Sequence, residues 1–336
     1  MAIEAPRDAF ADTAHIPSHL AFRGDGDREP ALTIAIPTFR RFELLVEAVR
    51  SALVQRFDGH VEVIVVDNDP DSDGAARLVA LLPELAHANF RYYVNAENIG
   101  MFGNWNRCIE LGRGEWHTLL NDDDLLDPEF VSRMMPILQR DPAIDGVICR
   151  RIVFGPTVQP RRGRLRNVAR RLGSELRFRG KGTRRFRPDR FFWSATNPVG
   201  LIARKRDLLA MGGYQPDEWP SSDHYFQLRF ALTHRLVEAR DYLVRIRLQE
   251  NESIKPETYL KMAVGFHHLR AKMAGGVVPR WWLRTSGLIL AEQRSILCNS
   301  GYPVTREAME QATGARLPQR PRPMLLLGIK ALLRGY

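Results

Sequence analysis

Residues 32–94 hold three short apolar runs, LTIAIP (32–37), VEVIVV (61–66) and FRYYV (90–94), separated by two helical patterns, FELLVEAVRSALVQ (42–55) and a second near Ala75 to Leu82. Short runs rich in β-branched and aromatic residues suit strands, and their alternation with amphipathic segments marks βαβ units of a parallel sheet. Phe42, Leu45, Val46, Val49 and Leu53 recur at helical spacing, so this helix should lay one face on the sheet. VEVIVV is almost wholly apolar, as a strand covered on both faces requires. The expected fold class is α/β, a parallel sheet flanked by helices.

Downstream, a helix from about Phe102 to Leu111 stops at Gly112, and a strand over Glu115 to Leu120 delivers Asn121-Asp122-Asp123-Asp124 at its carboxyl end. In open parallel sheets that edge is where ligands sit. Asp127-Pro128 starts a further helix, with Asp as cap and Pro in the first turn, and Ile144 to Cys149 is the next strand. Three adjacent carboxylates repel one another, and a divalent cation is the simplest remedy. Oxygen ligands on a short turn suit Mg²⁺ or Mn²⁺, whose shell is completed by substrate phosphate and water. Taken alone, the run reads equally well as a water-facing acidic entry to the helix at Pro128.

Four segments in order give the run a context. They are Thr33-Ile34-Ala35-Ile36-Pro37-Thr38-Phe39-Arg40, then Val65-Val66-Asp67-Asn68, then Asn98 to Asn106 (NIGMFGNWN), then Asn121-Asp122-Asp123-Asp124 with Pro128 behind it. Together they resemble the glycosyltransferase family 2 enzymes of GT-A fold, over roughly Leu32 to Ser253, which implies a Rossmann-like α/β fold with a mixed, mostly parallel sheet flanked by helices and a helical C-terminal appendage. The resemblance implies an inverting transfer of sugar from a nucleotide-diphosphate donor, with a divalent cation, Mn²⁺ or Mg²⁺, as cofactor. It implies that Pro37, Thr38 and Arg40 line the nucleotide pocket, although the family often has Asn where Arg40 stands. Asp67 inherits the acidic residue that holds the base, with Asn68 beside it, and Asn98, Gly100 and Asn104 belong to the loop and helix near the diphosphate. The family usually shows D-x-D-D where this chain begins with Asn121. The resemblance then makes Asp123 the principal metal ligand, Asp124 a second candidate, and Asp122 a neighbour of ribose and metal.

Inverting transfer needs a base for the acceptor hydroxyl. Gly212-Gly213-Tyr214 followed by Ser221-Ser222-Asp223-His224 resembles the family's turn and acidic helix, which makes Asp223 the general base. Its ordinary reading, an Asp at a helix N-terminus, is compatible with that role. His224 should point elsewhere, in a core or surface role. Gln249 stands where many members place His, leaving the donor phosphates to Arg247 or Lys255. Trp193 and Trp219 flank the acceptor entrance and are more often buried than stacked on sugar.

The 336 residues divide into a flexible N-terminal segment (1–30), a catalytic domain (31–255) interrupted by a basic, mobile insertion (155–190), and a helical C-terminal region (256–336) with Trp281, Trp282 and a basic amphipathic tail. The opening thirty residues lack a secretory pattern, and no window approaches the roughly 18–20 apolar residues of a spanning helix. Three scattered cysteines form neither a disulfide framework nor a zinc pattern. A cytoplasmic protein is expected, soluble or peripheral on the inner face of the cell membrane. The net charge of +10 attracts anionic partners. The insertion's arginines are not interleaved with aromatics, which lowers nucleic acid and favours an anionic membrane surface, met through the insertion and the tail. The resemblance implies as acceptor a glycan or lipid-linked glycan of surface polysaccharide synthesis. A nucleotidyltransferase is the enzymatic rival, but PTFRRFE offers no Gly-rich phosphate loop. A basic RNA-binding or scaffold protein would leave Asp223 and the acidic run without a role.

Overall fold

A computed structural model describes residues 6–156, 178, 182–192, 199–248, 255–273 and 306–314. The expected βαβ rhythm is present: β2 (Leu32–Thr38), α1 (Phe42–Leu53), β3 (Val61–Asp67), α2 (Gly74–Leu81) and β4 (Phe90–Asn95), with β2 parallel to β3 and β3 parallel to β4. The unbroken apolar runs resolve into two faces. Ile34, Ile36, Val63 and Val65 join a core with Leu45, Val49 and Leu78 of α1 and α2, while Ala35, Ile64 and Val66 face the other way, onto Cys108. That is the two-residue alternation of a strand with both sides covered.

α3 (Gly100–Leu111) crosses to β5 (Trp116–Leu119), which pairs parallel with β2, Ala35 opposite Leu119. β6 (Leu125–Leu126) and α4 (Phe130–Arg140) follow. Helix α4 begins two residues after Pro128, because Asp127 caps a turn instead, its Oδ1 accepting from the Glu129 N–H at 3.0 Å. β7 (Gly146–Phe154), β8 (Thr183–Arg185), β9 (Leu201–Arg204), α5 (Lys205–Ala210), α6 (Ser222–Thr233), β10 (Leu236–Arg247), α7 (Pro256–Met273) and α8 (Arg306–Thr313) complete the described elements. The sheet runs β1-β4-β3-β2-β5-β9-β7-β10-β6, with β8 on β10. It is mixed because β9 pairs antiparallel with both β5 and β7. Helices α1, α2 and α4 cover one face, and α3, α5, α6 and α7 the other.

Three boundaries differ from expectation. The N-terminal segment is not a loose leader over its described residues: β1 (Ser18–Arg23) pairs antiparallel with β4, and the buried Arg107 ties the preceding turn down. Its Nη1 donates to Ile16 O at 2.8 Å and Ser18 Oγ at 2.6 Å, and its Nη2 donates to Thr13 O at 2.8 Å. The exit of the basic insertion is docked rather than mobile. There β8 pairs with β10, Arg184 Nε donates to the buried Glu238 at 2.6 Å, Arg190 pairs with the same carboxylate, and Phe186 and Phe191 are buried. Helix α7, expected in a C-terminal helical region, packs on the domain, with Leu269 and Met273 in the core shared with α3 and α6. Residues 157–177, the amphipathic tail, Trp193, Gln249, Trp281 and Trp282 lie outside the described residues. Among the described residues no helix is long and apolar enough to cross a membrane.

Candidate active site

The carboxyl ends of β2, β3 and β5 and the amino ends of α3 and α6 open on one cleft of about 680 Å³, walled on a further side by α7. Pro37, Thr38, Asn68, Asn98, Gly100, Asn104, Asp122, Asp123, Asp124 and Asp223 all line it. Arg40 and Asp67 are not among the residues that line it. Arg40 has φ of +56°, the left-handed region that a side chain rarely adopts. The turn sends its guanidinium outward to Asp69, with Nε donating at 2.6 Å. Arg41, the next residue, faces the cleft in its place. Asp67 is buried behind the cleft, where Tyr92 Oη donates to its Oδ2 at 2.6 Å and the Asp69 N–H to its Oδ1 at 3.1 Å. With both oxygens engaged, Asp67 fixes the end of β3, and it is Asn68 that presents to the cleft.

A network of asparagines borders part of the cleft. Asn68 Nδ2 donates to Asn98 Oδ1 at 2.8 Å, and Asn95 Nδ2 donates both to Asn68 Oδ1 at 3.0 Å and to Asn104 Oδ1 at 2.9 Å. Asn104 Nδ2 reaches Val66 O at 2.9 Å, and Asn98 Oδ1 accepts the Gly100 N–H at 2.9 Å, where φ is +75°. A neutral network this closed positions the loop without placing charge in the cleft.

The acidic run is buried and differentiated. Asp122 accepts from Thr38 Oγ1 at 2.8 Å, and Arg41 Nη1 lies 3.4 Å from its other oxygen and 3.2 Å from Asp123 Oδ2. Asp124 is engaged on both oxygens, by the Arg247 N–H at 2.9 Å and Asn121 Nδ2 at 3.1 Å. Burial pushes the Asp122 carboxyl up to about 6, opposed by Arg41 and reinforced by Asp123. Burial, with Asp123 next in effect, pushes Asp124 up to about 7. Among the described residues no three His, Cys, Asp or Glu converge as a ready ligand set. The oxygens nevertheless fit a hard cation. Asn121 must turn its amide nitrogen toward Asp124 to avoid opposing two acceptors, which leaves its buried Oδ1 without a hydrogen-bond partner beside Asp122 and Asp123. A few protein oxygens completed by phosphate and water are what Mg²⁺ and Mn²⁺ take.

Asp223, which lines the same cleft, occupies the first turn of α6. Burial pushes its carboxyl up to about 7, against the backbone N–H groups of the helix start and the charge of Arg151. The turn before it is clamped: the buried Arg229 Nη2 lies 3.0 Å from Glu218 Oε2, and Gln215 N–H donates to Ser222 Oγ at 2.7 Å. Next to this clamp Trp219, 38% exposed, and Pro220 enter the cleft through a cis peptide bond. His224 is buried between the rings of Phe191 and Phe266, a core role as expected. Arg247 lines the cleft, but its Nε donates to Asp123 O at 3.0 Å and its Nη2 to Glu47 at 2.7 Å.

Sequence reasoning missed Arg41, Asn121 and the α7 residues Thr258, Met262 and Phe266. Nothing in Arg40-Arg41 tells which arginine faces inward, because the left-handed turn decides it. The α7 residues had no motif.

Comparison with known proteins gives a coherent set of likenesses. The model of the family described as Glycosyl transferase family 2 matches residues 33–201, half of the chain. The succinoglycan biosynthesis protein ExoO of Rhizobium meliloti (strain 1021) is 33% identical over 109 residues, 32% of this chain and 30% of that protein. The GalNAc(5)-diNAcBac-PP-undecaprenol beta-1,3-glucosyltransferase of Campylobacter jejuni is 35% identical over 107 residues, 32% of this chain and 34% of that protein. The matches thus span about a third of those relatives' own length. Among solved structures, S. aureus TarS 1-349 in complex with UDP superposes with a TM-score of 0.54 at 15% identity, covering 90% of this chain and 80% of that one. The mannosyltransferase PcManGT from Pyrobaculum calidifontis, in complex with GDP-Man and Mn²⁺, gives 0.52 at 19% identity, covering 94% and 88%. Likenesses at such identities show the fold, which is GT-A.

Proposed function

The chain belongs to glycosyl transferase family 2, and on that premise we propose that it transfers a sugar, with inversion, from a nucleotide-diphosphate donor to a hydroxyl of a glycan or lipid-linked glycan in surface polysaccharide synthesis. The observation that carries this reading is a single cleft lined both by the acidic run and by a carboxyl with its midpoint raised to about 7.

Asp223, in its ionised form, accepts the proton of the acceptor hydroxyl as that oxygen bonds to the anomeric carbon and the bond from that carbon to the donor phosphate breaks. A carboxyl poised near neutrality suits this, since it takes the proton readily and is half ionised at working pH. Thr38, Asn68, Asn98 and Asn104 receive the nucleoside, with Pro37 and Gly100 shaping the pocket. Asp122 orients the ribose side, and Asp123, assisted by Asn121 and in second place Asp124, would hold Mn²⁺ or Mg²⁺. The cation, when bound, would offset charge developing on the leaving diphosphate. Trp219, Met262 and Phe266 supply an apolar wall on the side of Asp223, suited to the face of an acceptor sugar. The relatives in succinoglycan biosynthesis and on an undecaprenol-linked acceptor support the acceptor class. The net charge of +10 supports contact with an anionic inner leaflet.

The test is turnover of a panel of nucleotide sugars with Mn²⁺ or Mg²⁺, followed by the anomeric configuration of the product. Cation-dependent transfer with inversion is expected. Turnover that survives excess chelator counts against the cation, and retained configuration counts against Asp223 as base.

A further inference from the structure

Arg41 and Arg247 both hydrogen-bond to the acidic run, and they are held differently. Arg247 is built in, its main chain bonded to Asp124 and its side chain to Asp123 O and Glu47. Arg41 reaches Asp122 and Asp123 through one nitrogen only, at 3.4 and 3.2 Å, and its side chain makes no other hydrogen bond among the described residues. Charge-assisted N–H to carboxylate bonds settle at about 2.7–2.9 Å, so this guanidinium balances charge without being locked. Its side chain is 36% exposed against 8% and 9% for the two carboxylates, which places it on the open side of the cleft. It stands at the cap of α1 without a side-chain capping bond, so the helix does not need it there. The left-handed turn at Arg40, pinned outward by Asp69, is what aims it inward.

We propose that Arg41 is an exchangeable counter-ion: in the donor-free protein it occupies the cation-binding edge of Asp122 and Asp123, and on donor arrival it passes to the diphosphate. This rests on the reading of the cleft as a cation and nucleotide-diphosphate site. A divalent ion entering alone must displace a resident positive charge, so it binds weakly. A diphosphate draws the guanidinium away and clears the carboxylates, so donor and ion enter together. The exchange spares a buried, unbalanced pair of carboxylates at any stage.

Two titrations test this. Free Mn²⁺ is followed by its electron paramagnetic resonance signal with no nucleotide present, and UDP or GDP binding is followed by calorimetry in chelator, for wild type, Arg41→Gln and Arg41→Lys. If Arg41 fills the edge about nine-tenths of the time, its removal tightens Mn²⁺ binding by about tenfold. Arg41→Gln is therefore expected to bind Mn²⁺ alone about that much more tightly and the diphosphate in chelator more weakly. Arg41→Lys, charged but with a shorter reach, should fall between. If wild type binds Mn²⁺ and Arg41→Gln binds it no more tightly, the exchange is overturned while the cation reading stands. If wild type binds no Mn²⁺ alone or with either diphosphate, both are overturned.

Discussion

Asp223 has a protonation midpoint near 7, raised by burial, and two outcomes follow from it. Its base form grows as pH rises, so transfer should climb through a midpoint near pH 7 and fall about tenfold per unit below it. Asp223→Asn should lose the pH-dependent limb along with about 10²–10⁴ of the rate, while still binding donor. The effect on stability runs the other way. A carboxyl raised from 3.8 to about 7 on folding favours the folded state fully below the lower value, and that contribution is lost as pH rises through the upper one. Asp223→Asn should therefore melt higher than wild type at pH 8, with the gap closing toward pH 5, a comparison that differential scanning calorimetry makes directly. An equal or lower melting temperature at pH 8 would argue against the burial. At this scale the sequence was partly legible. Asp223 and the acidic run could be placed by their neighbours in the chain. Arg40 and Asp67 could not, because their partners are spatial: a turn with φ of +56° in one case and Tyr92, 25 residues away, in the other.

The central strands were legible for a physical reason: a strand covered on both faces must be apolar throughout, and LTIAIP and VEVIVV are. Ile64, fully buried against the α3 side of the sheet, should cost about 2–5 kcal/mol when cut to Ala, read in urea denaturation with little change in donor affinity of the folded fraction. β1 and β8 carry no such signature. Each is short and lies at a margin of the sheet, and each is held by arginine contacts with residues distant in sequence, Arg107 to the turn before β1 and Arg184 to Glu238 beside β8. The turn that presents Trp219 depends in the same way on Glu218 and Arg229. Breaking that partly buried pair with Arg229→Ala should cost about 1–3 kcal/mol. It should also raise the acceptor KM more than the donor KM, because the loosened turn lies on the Asp223 wall. Equal changes in both constants would show that the turn does not sort the two substrates.

At the scale of the molecule, the order of four short segments identified the fold, because each lies at the carboxyl edge of a sheet whose strand order brings those ends together. Domain limits were less legible. Helix α7 was assigned to a separate region, yet Thr258, Met262 and Phe266 complete the cleft, which chain order alone does not show. The basic charge belongs to this scale too. Replacing the arginines between Arg161 and Arg179, which leaves Arg184 and Arg190 on Glu238, should weaken association with anionic liposomes more than donor hydrolysis, and equal losses would contradict a membrane role separate from the site. The central claim is a division of labour across one cleft, with the acidic run serving donor and cation and Asp223 serving the acceptor. Calorimetric titration of UDP and GDP in Mn²⁺ into wild type, Asp123→Ala and Asp223→Asn tests it most directly. The account predicts wild-type affinity in Asp223→Asn and loss of cation-dependent binding in Asp123→Ala; equal affinity, or equal loss, in the two variants would contradict it.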